Sequence, residues 1–145
     1  MTKKKTEYRY DKQKGESIKI WQLNNQILKD VYVNSIIDNS EGLTIELDNS
    51  KFNIIIKFNR SICYRNTNES YLLDKWNVYD KEKLKVSSFF FVENSAYISW
   101  LMKSNLNINK DLEIIHFAIF TPDDCIEILD TEMPIVTLKN LIDGD

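Results

Sequence analysis

The chain has 145 residues, a hydrophobic fraction of 43% and a formal net charge of -3, which together fit one globular domain with a sizeable core. No run of about 18 apolar residues occurs, and polar residues follow Lys3–Lys5, so we expect neither a transmembrane helix nor a secretory signal. We therefore expect a cytoplasmic protein without a membrane partner, in which Cys63 and Cys125 are small, buried and reduced.

The charges are distributed unevenly along the chain. Residues 1–20 carry seven Lys or Arg against three acids, whereas residues 111–145 carry nine acids against one base. Such asymmetry can mark an interaction surface. We expect residues 1–16 to form a flexible basic arm and residues 17–145 to form a single α+β domain.

Alternating apolar and polar residues predict a mainly antiparallel β-sheet of about six to eight strands. In chain order, the predicted strands lie at 17–23, 27–37, 43–47, 52–58, 87–92, 112–120 and 125–129, with weaker candidates at 62–65 and 134–138. The first four segments follow one another at roughly ten-residue spacing, which indicates an antiparallel meander. The Ile54-Ile55-Ile56 run indicates a strand that is buried on both faces.

One principal helix is predicted near residues 95–104. Asn94 or Ser95 can cap it by accepting from unpaired backbone N–H groups, and Tyr97 and Trp100 then share one face.

The segment Thr121-Pro122-Asp123-Asp124 fits either a hairpin turn or the start of a helix. The alternation that follows, from Cys125 to Leu129, favours the turn.

Catalytic chemistry finds little support in the sequence. His116 is the only histidine, and no cysteine or second histidine lies near it, so we expect no metal site and no cofactor. The three glycines are isolated, which excludes a glycine-rich phosphate loop. A Ser-His-Asp arrangement stays open, since such partners meet only in space. We expect a protein that is not an enzyme, and a hydrolase with His116 as general base ranks last.

Two sets of residues are candidates for binding. The acids near the C-terminus can steer a basic partner, and their spacing without glycine matches no calcium loop; this partner-binding set is Asp123, Asp124, Glu127, Asp130 and Glu132. Aromatic residues and an arginine can instead line a pocket for a small ligand such as a nucleotide; this alternative set is Tyr64, Arg65, Tyr97 and Trp100. The overall acidity argues against a nucleic-acid partner.

Three stretches of the chain carry a family resemblance: Tyr64-Arg65-x-x-Asn68-Glu69-Ser70, Phe91-Val92-Glu93-Asn94-Ser95-x-Tyr97-x-x-Trp100 and Ile115-His116-Phe117-x-Ile119-x-Thr121-x-x-Asp124-x-Ile126-Glu127-x-Leu129. With these stretches the chain resembles small proteins of low-GC Gram-positive bacteria that are similar to immunity proteins encoded beside polymorphic or contact-dependent toxins. The likeness covers about residues 27–135 and leaves the basic arm outside.

The resemblance implies a protein that occludes a cognate toxin and has no catalytic residues of its own. Such a toxin would present a basic surface to the acids of this chain, which favours fast and tight association. The sequence therefore predicts an immunity-type inhibitor, with a small-ligand binding protein as the alternative.

Overall fold

We describe a computed structural model of the chain for residues 9–59, 61–68, 79–104 and 113–141. These residues form nine strands and two helices. The strands are β1 (Ser17–Ile20), β2 (Tyr32–Asn39), β3 (Gly42–Asp48), β4 (Phe52–Phe58), β5 (Cys63–Asn68), β6 (Phe89–Glu93), β7 (Ile115–Phe120), β8 (Asp124–Asp130) and β9 (Ile135–Asn140). The helices are α1 (Lys81–Val86) and α2 (Ala96–Ser104). The predicted α+β class and mainly antiparallel character are confirmed, and the strand number is slightly higher than predicted.

Two antiparallel sheets pack face to face. The five-stranded sheet has the order β1-β6-β7-β8-β5, and the four-stranded sheet has the order β2-β3-β4-β9. Alternate residues of each strand point into the space between the sheets. Leu43, Ile45 and Leu47 of the four-stranded sheet meet Phe117 and Ile128 of the five-stranded sheet there, all with no exposed surface. The main core therefore lies between the two sheets.

The predicted four-strand meander is only partly present. Strand β1 pairs with β6, so that Ile18 lies beside Val92, and only β2, β3 and β4 follow one another as neighbours. The predicted burial of β4 on both faces is also corrected. Ile54 and Ile56 are fully buried in the core, but Ile55 lies on the outer face and is partly exposed.

The chain reverses direction at asparagine residues. Asn24 and Asn25 have positive φ values of 49° and 66°, which asparagine tolerates better than most residues. Asp30 also has a positive φ of 56°, so the predicted strand at 27–37 begins only at Tyr32.

Both helices cover the outer face of the five-stranded sheet. Near β1, Leu84 of α1 packs with Phe90 and Phe120. Near β5, Leu101 of α2 packs on Leu129. The described helices are too short and too polar for either of them to span a membrane. The five-stranded sheet is thus the middle layer of the molecule.

Part of the predicted basic arm is bound to the domain. Residues 1–8 lie outside the described residues. In the remainder, the Asn94 amide donates to the carbonyl oxygens of Asp11 and Gly15, at 2.8 Å each, and its own oxygen accepts from the Asp11 N–H. The Glu16 carboxylate also accepts from the Ala96 N–H at the first turn of α2.

The hairpin alternative for residues 121–130 is confirmed. Strands β7 and β8 pair antiparallel, with Phe120 beside Cys125. The Thr121 hydroxyl accepts from the Asp124 N–H at 2.9 Å and holds the turn.

Candidate functional site

The five acids predicted to form one surface lie at three separate places along strand β8. Asp123 and Asp124 lie at the start of the strand, and Asp130 and Glu132 lie at its end. Six residue steps of an extended strand separate Asp124 from Asp130 by about 20 Å. Glu127 lies midway and is only 1% exposed. A single partner contact cannot therefore include Glu127 as a surface acid.

The end of the sandwich that contains Asp130 carries two adjoining hollows with volumes of about 380 and 240 Å³. Asn59 lines both of them, so they form one depression, which we call the end groove. Its lining residues are Asp38, Asn39, Ser40, Gly42, Asn59, Ser61, Asp130, Thr131 and Glu132. Three acids line it, and none of its described lining residues is basic.

Gly42 allows the loops at this end to approach each other closely. Its φ is +121°, and a Cβ atom at this position would lie 2.2 Å from the Phe58 carbonyl oxygen and 2.8 Å from that of Asn59. Only glycine fits such a contact. The loop before β3 can therefore lie against the chain that leaves β4, and the two together form part of the end groove.

Exposed apolar residues lie close in sequence to the lining of the end groove. Of the nine large hydrophobic residues that are exposed in the described chain, four lie within three residues of its lining: Ile37, Ile62, Met133 and Ile135. Met133 and Ile135 are 56% and 62% exposed. Exposed apolar side chains close to polar groups are common at protein interaction sites.

Asp130 is the least exposed acid of the end groove, at 4%. Burial raises the pKa of its carboxyl group, although the N–H groups of Thr131 and Glu132 oppose this effect by donating to Oδ1 at 2.6 and 3.3 Å. A cation from a partner would relieve the cost of burying the charged form.

A chain of polar groups lies under α2, on the outer face of the five-stranded sheet. Ser95 Oγ lies 2.6 Å from His116 Nδ1, and His116 Nε2 lies 2.9 Å from Glu127 Oε1. Arg65 Nε donates to Glu127 Oε2 at 2.6 Å. With its proton on Nε2, the imidazole donates to Glu127 and accepts from Ser95. These hydrogen-bonded side chains thus connect β5, β7, β8 and the start of α2.

Ser95, His116 and Glu127 are hydrogen-bonded in the same sequence as the serine, histidine and acid of an acyl-transfer site. Ser95, however, is the cap of α2. Ser95 has no exposed surface, and its Oγ accepts the Ile98 N–H at 3.0 Å as the cap of α2. Since His116 is also only 1% exposed, a substrate would not reach either side chain in this conformation.

Three of the four residues predicted for the alternative pocket lie together. The Arg65 guanidinium stacks on Tyr97, with Cζ 3.9 Å from the ring centroid, and Trp100 lies beside Tyr97 at a centroid distance of 5.8 Å. Tyr64 points to the other face of β5 and packs against the main core. Of the residues predicted for the pocket, the structure brings Arg65, Tyr97 and Trp100 together and separates Tyr64 from them.

The surroundings of Arg65 and Tyr97 raise the pKa values of both side chains. Burial alone would lower the pKa of Arg65, but the hydrogen bond and the charge of Glu127 raise it above its ordinary value. Burial, followed by a hydrogen bond with Cys63, raises the pKa of Tyr97. Both side chains therefore keep one protonation state around neutral pH.

Comparisons with known proteins leave the immunity-protein resemblance as a prediction. No family model, no curated protein and no solved structure matches the chain. Within the described ranges, no group of three His, Cys, Asp or Glu side chains is placed to hold a metal ion.

Proposed function

We propose that the protein is a non-enzymatic inhibitor of immunity type, which binds a basic region of a cognate bacterial toxin at its end groove and blocks it. The end groove is the observation that carries this proposal. It combines acids, hollows and exposed apolar side chains in one place, whereas the other end of β8 offers Asp123 and Asp124 alone among the predicted acids.

The acids of the end groove would contribute to the rate and the specificity of association. Asp38 and Glu132 are exposed there, and Glu41 is exposed in the adjoining loop. Acids on one surface attract a basic partner over about 8 Å at physiological salt, so association becomes faster and depends on ionic strength.

The apolar surroundings would contribute to the lifetime of the complex. Met133 and Ile135 present large exposed side chains next to Glu132, and their removal from water favours binding. Stable interfaces commonly bury apolar side chains together with polar groups. The binding function also agrees with the burial of Ser95 and His116, which keeps the one serine–histidine contact of the described residues away from solvent.

The proposal can be tested with the toxin encoded beside this gene. Purified full-length chain and toxin are mixed, and association is followed by biolayer interferometry at two salt concentrations, together with growth of cells that express both. The test variant reverses Asp38, Glu41 and Glu132 to Lys. The matched control is Asp123→Lys, which changes an exposed acid at the opposite end of the sandwich.

We expect the triple variant to associate at least ten-fold more slowly at low salt and to lose protection, while Asp123→Lys behaves like the original chain. A second variant, Met133→Ser, should mainly increase the dissociation rate. Unchanged binding and protection by the triple variant would exclude the end groove. Loss of binding only in Asp123→Lys would move the interface to the other end.

A further inference from the structure

Arg65 presents unused hydrogen-bond donors in a fixed orientation. Its Nε bonds Glu127 at 2.6 Å, and its guanidinium plane is held against Tyr97. Among the described residues this is the only side-chain hydrogen bond that Arg65 makes, so its two terminal Nη groups have no partner within that part of the chain. The side chain is 41% exposed, and the Nη groups can therefore reach solvent.

This arrangement is suited to an oxyanion. The two Nη groups of one guanidinium donate in parallel to a phosphate or a carboxylate, and Arg binds such groups better than Lys for this reason. Because Glu127 and Tyr97 already hold the side chain, a ligand would order it at little additional entropic cost. Glu127 offsets part of the positive charge, so the expected affinity is modest.

A flat exposed surface lies within about 10 Å of the guanidinium. Trp100 is 56% exposed on α2, and its contact with Tyr97 places its ring within about 10 Å of Arg65 Cζ, since the two contacts span 3.9 and 5.8 Å. Indole rings stack well on flat ligands such as nucleobases.

We propose that Arg65 and Trp100 form a binding site for a small oxyanion that carries a flat ring, of which a nucleoside monophosphate is the representative class. The Nη groups of Arg65 hold the oxyanion and the indole of Trp100 stacks on the ring. Tyr97 orients both side chains by contact with each of them. This site differs from the end groove in its residues and in its charge, so it does not depend on the proposed inhibitor function.

The test is isothermal titration of the full chain with adenosine monophosphate, adenosine, inorganic phosphate and benzoate. Two variants remove one half of the site each. Arg65→Lys retains a cation beside Glu127 but loses the paired donors, and Trp100→Ala removes the stacking surface. Tyr32→Ala is the matched control, because Tyr32 is equally exposed, at 58%, but lies on the four-stranded sheet.

We expect adenosine monophosphate to bind with a Kd of about 1 mM or tighter. Adenosine and phosphate should each bind at least ten-fold more weakly, and both site variants should lose at least ten-fold in affinity while Tyr32→Ala loses none. Benzoate binding with the same sensitivity to the two variants would also support the site and would identify a carboxylate as its oxyanion.

Two results would overturn the proposal. One is the absence of binding heat both with adenosine monophosphate and with benzoate at 10 mM, on the order of ten times the expected Kd. The other is binding that persists in both Arg65→Lys and Trp100→Ala, checked by circular dichroism to be folded.

Discussion

Replacing Glu127 by Ala should destabilise the protein strongly, although no exposed surface changes. The carboxylate is 2% exposed as a side chain and accepts from Arg65 and from the His116 ring, at 2.6 and 2.9 Å. Its removal leaves His116 Nε2 buried without this acceptor, which costs about 1–3 kcal/mol. Breaking a fully buried ion pair costs about 3–5 kcal/mol, but Arg65 is 41% exposed and regains water. We expect a loss of about 3 kcal/mol.

The substitution Glu127→Gln separates charge from shape. The introduced amide offers one acceptor, which Arg65 can use, and His116 can avoid a lost bond by moving its proton to Nδ1 and donating to Ser95 Oγ. This variant should therefore cost about 1 kcal/mol.

Urea unfolding followed by circular dichroism measures both changes. With an m-value of about 2 kcal/mol/M for a domain of this size, Glu127→Ala should lower the midpoint by about 1.5 M. Glu82→Ala is the control, because its carboxylate is 82% exposed in a surface pair with Lys85 and should change stability by less than about 0.5 kcal/mol. If Glu127→Ala and Glu82→Ala shifted the midpoint equally, the buried network would not hold the sheet and α2 together.

Three further changes test other parts of the fold. Gly42→Ala should cost about 3 kcal/mol in urea unfolding because its Cβ would overlap the Phe58 carbonyl, whereas Gly15→Ala, with no atom within 4 Å, should cost about 1 kcal/mol. Ser95→Ala should lower stability by about 1–2 kcal/mol and reduce helical circular dichroism, and an unchanged melting temperature would contradict its capping role. The raised pKa of Asp130 means that the folded chain binds a proton more tightly than the unfolded chain, so stability should fall as pH rises from 3.8 through the raised value. Asp130→Asn should remove that part of the pH dependence, and an identical slope in both proteins would refute it.

Much of the secondary structure could be predicted from local pattern, although α1 was not predicted. The alternation from Leu43 to Leu47 and the capped segment at 95–104 both became the elements that they indicated. The partner of β1 could not be predicted in the same way, because Ile18 pairs with Val92 across more than 70 residues. Local periodicity contains no information on such pairing.

The residues around Glu127 in the sequence indicate that this acid is buried, although its charge alone suggests an exposed position. Along β8, Ile126 and Ile128 face the main core, so Glu127 shares the opposite face with Cys125 and Leu129. Two apolar neighbours on one face indicate that this face is also covered. An acid there is expected to be paired rather than displayed.

The end groove could not be derived from the sequence as a unit. Its members come from three parts of the chain, at 38–42, at Asn59 and Ser61, and at 130–132, which only the packing of the two sheets brings together. Each part by itself shows ordinary turn chemistry, such as the Glu41 N–H donating to the Asn39 side chain at 2.9 Å. The closest approach of two of them is marked in the sequence only by Gly42.

Both sheets are completed by strands from the last quarter of the chain, which is synthesised last. Strand β8 is the neighbour of both β5 and β7, and β9 closes the four-stranded sheet beside β4. A ribosome that has released only residues 1–120 has therefore produced two incomplete sheets whose apolar faces lack their final strands. Stable folding has to wait for the residues after 124, and a product truncated before that point would expose both sheets to aggregation and proteolysis. Only a chain that extends through β9 can therefore complete both sheets.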